Sequence, residues 1–328
     1  MREAPTVSSL QDAFFLTSRQ VLTERLQGQS AAWRDANALT DPGAKLMQDL
    51  IIMVAPNGSR RGKQDHPKLP VTPDELADEA HACQAAGASA IHLHVRDQAG
   101  RHSLSPDAYR TAIDAIQARC GSTIVTQVTT EAAGQFDLTQ QIALVNDLRP
   151  AAISFSLTEM LRNGEVCASA FLHRAAQMGT AIQFILYTPE EVRLLARLWE
   201  TPGFGIPPRP VLILVVGRYS GSQESSIAEF DQLHTALTQT GLVRTCVWMT
   251  CAFGRSELAC LERSIALGGH ARVGFENAIV DAAGNLARDN AERVSLVTEI
   301  AARHARPLAG VQSCAKLLGM RQLGAVLA

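Results

Sequence analysis

Short apolar runs that alternate with stretches of helical pattern predict a (β/α)8 TIM barrel with an N-terminal helical extension. Three observations carry this. Eight runs of strand length begin near Leu50, Ala90, Thr123, Ala151, Ala181, Val211, Val243 and Ala271. Segments of helix length separate them. Together the units fill about 260 residues, the usual extent of a closed eight-stranded barrel. A doubly wound open sheet shares the alternation, but no G-x-G-x-x-G follows the first run, which removes that fold's commonest cofactor signal.

Taken in order, residues 1–48 read as an extension and 49–328 as the barrel that carries the chemistry. Phe14-Phe15-Leu16 and Val21-Leu22 stand among polar residues and suit short amphipathic helices, broken by Asp41-Pro42-Gly43. Ile51 to Val54 is the first strand, and Ala55-Pro56-Asn57-Gly58 ends it with an amide and a tight turn. Thr72-Pro73 and Ser105-Pro106 each place a capping hydroxyl before a proline in the first helical turn. The third strand ends in Thr126-Gln127-Val128-Thr129-Thr130-Glu131, the fourth in Ser154 and Ser156. A Gly/Pro-rich loop from Pro202 to Pro210 precedes the sixth strand, Val211 to Val216.

Composition narrows the function classes. The chain has 328 residues, 46% hydrophobic and 19% charged, with a formal net charge of −2, so it lacks the basic footprint of a nucleic-acid binder. No apolar run approaches the roughly 18 residues of a membrane helix, and the first residues carry no apolar signal core. Seven cysteines without a C-x-x-C pair read as reduced thiols of a cytoplasmic protein. Cys246 and Cys251 flank one strand end and could form a soft metal pair, but their spacing does not follow the rules for zinc sites. Lysines occur only at 45, 63, 68 and 316, outside every strand, which disfavours chemistry that needs a desolvated amine.

The sharpest chemical feature is Ile91-His92-Leu93-His94-Val95-Arg96-Asp97. Strand alternation puts His92, His94 and Arg96 on one face. Barrel strands are buried on both sides and usually read as continuous apolar runs, so two inward histidines stand out. Imidazoles at i and i+2 can converge on one divalent ion; hydrogen-bonded core histidines are the plainer reading. In Gly268-Gly269-His270-Ala271-Arg272-Val273-Gly274-Phe275-Glu276-Asn277, alternation groups His270, Arg272, Gly274 and Glu276. In a closed barrel the eighth strand borders the first, which borders the second. Glu276 can therefore reach the two histidines, and two imidazoles with a carboxylate and an open position form a catalytic zinc set. A plain buried Arg–Glu ion pair is the alternative for Arg272. Asn57, Thr129, Thr130 and Ser154 add polar groups at the same rim. Gly58-Ser59-Arg60-Arg61-Gly62-Lys63 only superficially resembles a phosphate loop, with Gln64 where a Ser or Thr belongs, and reads as a solvated loop. Arg218-Tyr219-Ser220 is a weaker candidate for an anion.

Together these motifs resemble the β-keto acid cleavage enzymes, the family of 3-keto-5-aminohexanoate cleavage enzyme. The resemblance runs from about Leu50 to Met320 and rests on Ala55-Pro56-Asn57-Gly58, Leu69-Pro70-Val71-Thr72-Pro73, the His92-x-His94-Val95-Arg96-Asp97 strand and the Gly268–Glu276 stretch. It implies a zinc-dependent (β/α)8 barrel, usually a homotetramer, that converts a β-keto acid and acetyl-CoA into acetoacetate and a new acyl-CoA. It makes His92, His94 and Glu276 the metal ligands and Arg272 the catalytic arginine. Where well-known members carry an Asp as general base after the metal-binding Glu, this chain has Asn277, which the resemblance places among the catalytic residues with Arg272. An amide cannot take that proton: either another carboxylate does the work, with Glu131 and Glu159 as candidates, or the mechanism shifts more of it to the metal.

Two other classes share part of this pattern. Metal-dependent hydrolase barrels also carry a His-x-His strand, but on their first strand and with further histidines on the fifth and sixth; here Ala181–Leu186 and Val211–Gly217 hold none. A family member that binds metal or acyl-CoA without turnover would be supported by Asn277 alone. Tyr187, Cys251 and Phe253 lie near strand ends where they can shape a pocket.

Overall fold

The computed structural model describes residues 48–217 and 224–321. The expected extension, up to its last residue, and Arg218-Tyr219-Ser220 lie outside the described residues. The barrel strands are β1 (Ile52–Val54), β2 (Ala90–Leu93), β3 (Val125–Thr129), β4 (Ala152–Ser156), β5 (Ala181–Leu186), β6 (Val211–Val216), β7 (Val247–Ala252) and β8 (His270–Val273). Each pairs in parallel with its sequence neighbours, and β8 closes on β1. The register there is Ile52↔Ala271, Met53↔Arg272 and Val54↔Val273.

Side chains alternate across every strand and so build two apolar layers. Inside the barrel lie Ile51, Met53, Ala90, Val125, Ile185, Ile213, Val215, Met249 and Cys251. Outside, Ile52, Val54, Ile91, Leu93, Val128, Ile153, Phe184, Leu212 and Val273 meet the helices. Those helices begin where the sequence sets a capping oxygen. Thr72, Ser105, Asp137, Thr188, Ser226 and Asp289 each accept the amide three residues on. Among the described residues, no helix is long and apolar enough to cross a membrane.

Two elements depart from the sequence reading. Leu242–Arg244 forms a 3-10 turn, and β7 starts only at Val247. β2 ends at Leu93, and Val95–Arg96 leaves the barrel to pair with His102–Ser103 in a small antiparallel hairpin. Arg96 therefore does not share the barrel interior with His92. It turns to the loop after β1, where it donates to the Gly58 and Arg61 carbonyls.

The closure of β8 on β1 continues past the strands. Ala55 N–H donates to the Val273 carbonyl at 2.9 Å, and Glu276 N–H to the Ala55 carbonyl at 3.0 Å. Gly274 makes this approach possible. Its φ is +138°, and a Cβ there would lie 2.5 Å from the Ala55 oxygen.

Candidate active site

Three ligand-type side chains converge at the carboxyl ends of β2 and β8. Nε2 of His92 and Nε2 of His94 lie 3.2 Å apart. Oε2 of Glu276 is 3.7 Å from the first and 3.4 Å from the second. All three ligand atoms fit within 4.8 Å of one another. Both histidines are buried, and the Glu276 side chain is only 13% exposed.

A polar chain across the barrel interior fixes which nitrogen of His92 faces this centre. Gln183 Nε2 donates to the Leu212 carbonyl at 3.4 Å, and Gln127 Nε2 donates to Gln183 Oε1 at 3.1 Å. Gln127 Oε1 is then left to accept, and His92 Nδ1 lies 2.8 Å from it. The chain ends on a carbonyl that can only accept, so its direction is determined throughout. His92 Nδ1 carries the proton, and Nε2 presents a lone pair to His94 and Glu276. This is the partner pattern of a metal-ligating imidazole.

The donor set fits a divalent cation. A lone pair and a carboxylate oxygen face each other across a buried gap. Oε2 of Glu276 makes no hydrogen bond among the described residues, and a buried polar atom left unsatisfied is costly. One cation among the three atoms would satisfy all of them.

Arg272 lies behind this centre, on the inner face of β8. Its Nη2 donates to Glu276 Oε1 at 2.9 Å and to Cys251 Sγ at 3.3 Å. Nε is buried without a partner among the described residues. Burial pushes the Glu276 carboxyl up, but the Arg272 charge outweighs it and holds the group well below the usual carboxylate range. Burial pushes the Cys251 thiol up to about 11, so it stays protonated beside the arginine.

The other residues singled out in the sequence fall into two sets. Glu131 lines the cleft together with Glu276, Asn57, Arg60, Arg61 and Phe253, and its Oε2 is 4.0 Å from His94 Nε2. Its amide donates to Thr129 Oγ1 at 3.1 Å, and its carbonyl lies 2.8 Å from His102 Nε2. Ser154 lies on the inner face of β4, in register with Thr129, and its Oγ is buried without a partner among the described residues.

The second set holds the frame. Thr130 Oγ1 donates to the Ser154 carbonyl at 2.9 Å, so it ties β3 to β4. Asn57 spends its amide hydrogens on the Pro70 and His94 carbonyls at 3.1 and 3.2 Å, which orients the His94 segment. Glu159 Oε2 accepts from Gln141 Nε2 at 2.7 Å and from the Ala132 amide at 3.3 Å. It anchors the loop that carries Glu131 and does not face the cleft centre. Asn277 is fully buried, and neither amide atom has a partner among the described residues. His270 shares the inner face of β8 but is a core histidine: its Nδ1 accepts the Ile51 amide at 3.0 Å at the opposite end of the strand. A larger cavity of about 250 Å³, lined by Arg110, Gln117, Thr126, Leu148 and Met320, contains none of these groups.

The buried imidazoles make acid stability a test of this packing. Burial and then the Arg272 charge push the His92 imidazolium down to about 3, and burial and then Arg306 do the same for His270. A free histidine titrates near 6.5. Between those values the unfolded chain binds protons that the folded chain does not. Stability present above about pH 6.5 is thus lost as pH falls toward 3. Each histidine accounts for about 2 kcal/mol between neutral pH and pH 5. The Tm of the metal-free protein is expected to fall by about 5–15 °C from pH 7 to pH 5. A flat Tm over that interval would contradict the assignment.

The fold is a (β/α)8 barrel, and the candidate site lies at the carboxyl ends of its strands. The chain matches the model of the beta-keto acid cleavage enzyme family over residues 49–320. It belongs to that family and is an enzyme of its C–C-cleaving kind. Among curated proteins it is 26% identical over 282 residues to the 3-keto-5-aminohexanoate cleavage enzyme of Fusobacterium nucleatum, a match spanning 84% of this chain and 100% of the relative. It is also 26% identical over 287 residues to the 3-oxoadipate:acetyl-CoA acetyltransferase of Cupriavidus necator, spanning 84% of this chain and 96% of that protein. Among solved structures, the binary complex of ObcA with oxaloacetate shares the fold, with a TM-score of 0.63 and 17% identity over 77% of this chain and 68% of that one.

Proposed function

We propose that this enzyme transfers the acyl part of a β-keto acid to coenzyme A. The acid and acetyl-CoA would give acetoacetate and a new acyl-CoA at a zinc site held by His92, His94 and Glu276. The observation that carries this reading is the convergence of those three ligands beside Arg272. The names of two relatives, which specify acetyl-CoA as co-substrate, support the choice of acyl acceptor. When bound, zinc supplies Lewis-acid stabilisation of negative charge on the substrate oxygens.

The chain's own residues do the rest. Glu131, at the cleft, takes a proton from the carbon between the carboxylate and the ketone. Arg272, beside the Glu276 carboxylate, supplies a fixed positive charge that favours the enolate. Ser154 offers a hydroxyl to the same substrate from β4. The enolate carbon attacks the acetyl thioester carbonyl, a C–C bond forms and coenzyme A leaves as the thiolate. The thiolate then attacks the original ketone carbon. The bond between that carbon and its neighbour breaks, releasing the acyl-CoA. Glu131 returns its proton to the carbon of acetoacetate from which the bond was lost. Atoms and charges balance over the cycle.

The mouth of the cleft points to the substrate class. Arg60 lines it, is exposed and has no partner among the described residues, whereas Arg61, Arg96 and Arg272 are all engaged. An anionic group at the far end of the keto acid suits Arg60. The metal-loaded enzyme, tested with neutral, amine-bearing and dicarboxylic β-keto acids plus acetyl-CoA, is expected to release acetoacetate fastest from the dicarboxylic set. Arg60→Glu is expected to lower kcat/KM for that set by about 10- to 100-fold, the worth of one charged hydrogen bond, and to favour the amine-bearing acids. Acetoacetate from none of the panel would overturn the proposed reaction.

A further inference from the structure

We propose that Arg61 is a positioning residue for Glu276, and that through it the loop after β1 sets the metal affinity of the centre. This rests on the reading of His92, His94 and Glu276 as metal ligands. Arg61 does not touch the carboxylate. Its Nη1 donates to the Phe275 carbonyl at 2.7 Å and the Glu276 carbonyl at 2.9 Å. Two successive carbonyls held by one guanidinium nitrogen fix the backbone from which the Glu276 side chain springs.

The loop that carries Arg61 is itself held from the hairpin after β2. Arg96 Nη2 donates to the Gly58 carbonyl at 2.5 Å and the Arg61 carbonyl at 2.9 Å, and Nη1 donates to the Ser59 carbonyl at 3.3 Å. Gly58 completes the seat. A Cβ at Gly58 would come within 2.5 Å of Glu276 Cγ, so the loop backbone packs directly on the ligand's stem. The hairpin after β2 thus braces the loop after β1, and that loop braces the end of β8. The segments bearing His94 and Glu276 are joined by two arginines that bond only to backbone oxygens at these places.

A lysine at 61 would keep the charge but carry it on a flexible stem without the fixed guanidinium plane that holds Nη1 between the two carbonyls, so the arrangement predicts graded damage. Removing a partner of this kind typically costs 10- to 100-fold in metal affinity. The test is the zinc dissociation constant, measured by chelator competition, for wild type, Arg61→Gln and Arg61→Lys. Circular dichroism of each metal-free protein reports folding. Arg61→Gln is expected to weaken zinc binding by about 10- to 100-fold with an unchanged spectrum. Arg61→Lys should fall between it and wild type, and activity lost at limiting zinc should be partly restored by excess zinc. Should Arg61→Gln fail to fold, Arg61→Lys is read on the same scale. Wild-type zinc affinity in a folded Arg61 variant would overturn the proposal while leaving the metal reading intact. A wild type that binds no zinc would overturn both.

Discussion

Glu131→Gln is expected to lower kcat by about 10²- to 10⁴-fold, the range that a positioned general base supplies, while zinc content stays at the wild-type level. The amide keeps the shape of the side chain and can still hydrogen-bond, but it cannot take the substrate proton. Exchange of the substrate's α-hydrogen with solvent, followed by NMR in the absence of acetyl-CoA, isolates that step. It should vanish in Glu131→Gln and persist in Glu159→Gln, because Glu159 serves the Ala132 amide and Gln141. Full exchange in Glu131→Gln would remove the base assigned here.

Arg272→Gln is the second large effect. A preorganised donor aimed at developing charge is worth about 10²- to 10³-fold in kcat, and Arg272 carries a full charge as well. It also holds the Glu276 carboxylate ionised against the pull of burial. Without it the Glu276 carboxyl pKa rises, so protons compete with metal at a higher pH than in wild type. Two readouts should therefore move together: kcat at saturating zinc falls, and the pH below which zinc is released shifts upward. A drop in kcat with unchanged pH dependence of zinc binding would separate the arginine from the ligand.

The barrel was legible because strand and helix periods alternate cleanly from Leu50 onward, and closure alone then brought Glu276 to His92 and His94. The start of β7 was not legible: Val243 reads as strand by residue type, yet Leu242–Arg244 turns beneath the barrel before Val247. The interior chain from His92 through Gln127 to Gln183 was also hidden. Its bonds join positions 35 and 56 residues apart, and glutamine in a strand has no spacing signature of its own. A polar residue repeated at inward positions of neighbouring strands was the available signal. Arg61 read as a solvated cation for a similar reason. Its partners are backbone carbonyls across the β1–β8 seam, and carbonyls carry no residue code. Glu159 shows the converse error. Residue type made it a base, whereas its hydrogen bonds make it an anchor.

The central claim is that His92, His94 and Glu276 form one metal site. Metal analysis by mass spectrometry on wild type and Glu276→Ala, both reconstituted with zinc and freed of excess, tests it most directly. The account predicts about one zinc per wild-type chain, the stoichiometry of a single three-ligand site, and a sharp loss in the variant with its fold retained. No metal in folded wild type, or equal metal in both proteins, would contradict it and return the two histidines to the barrel core.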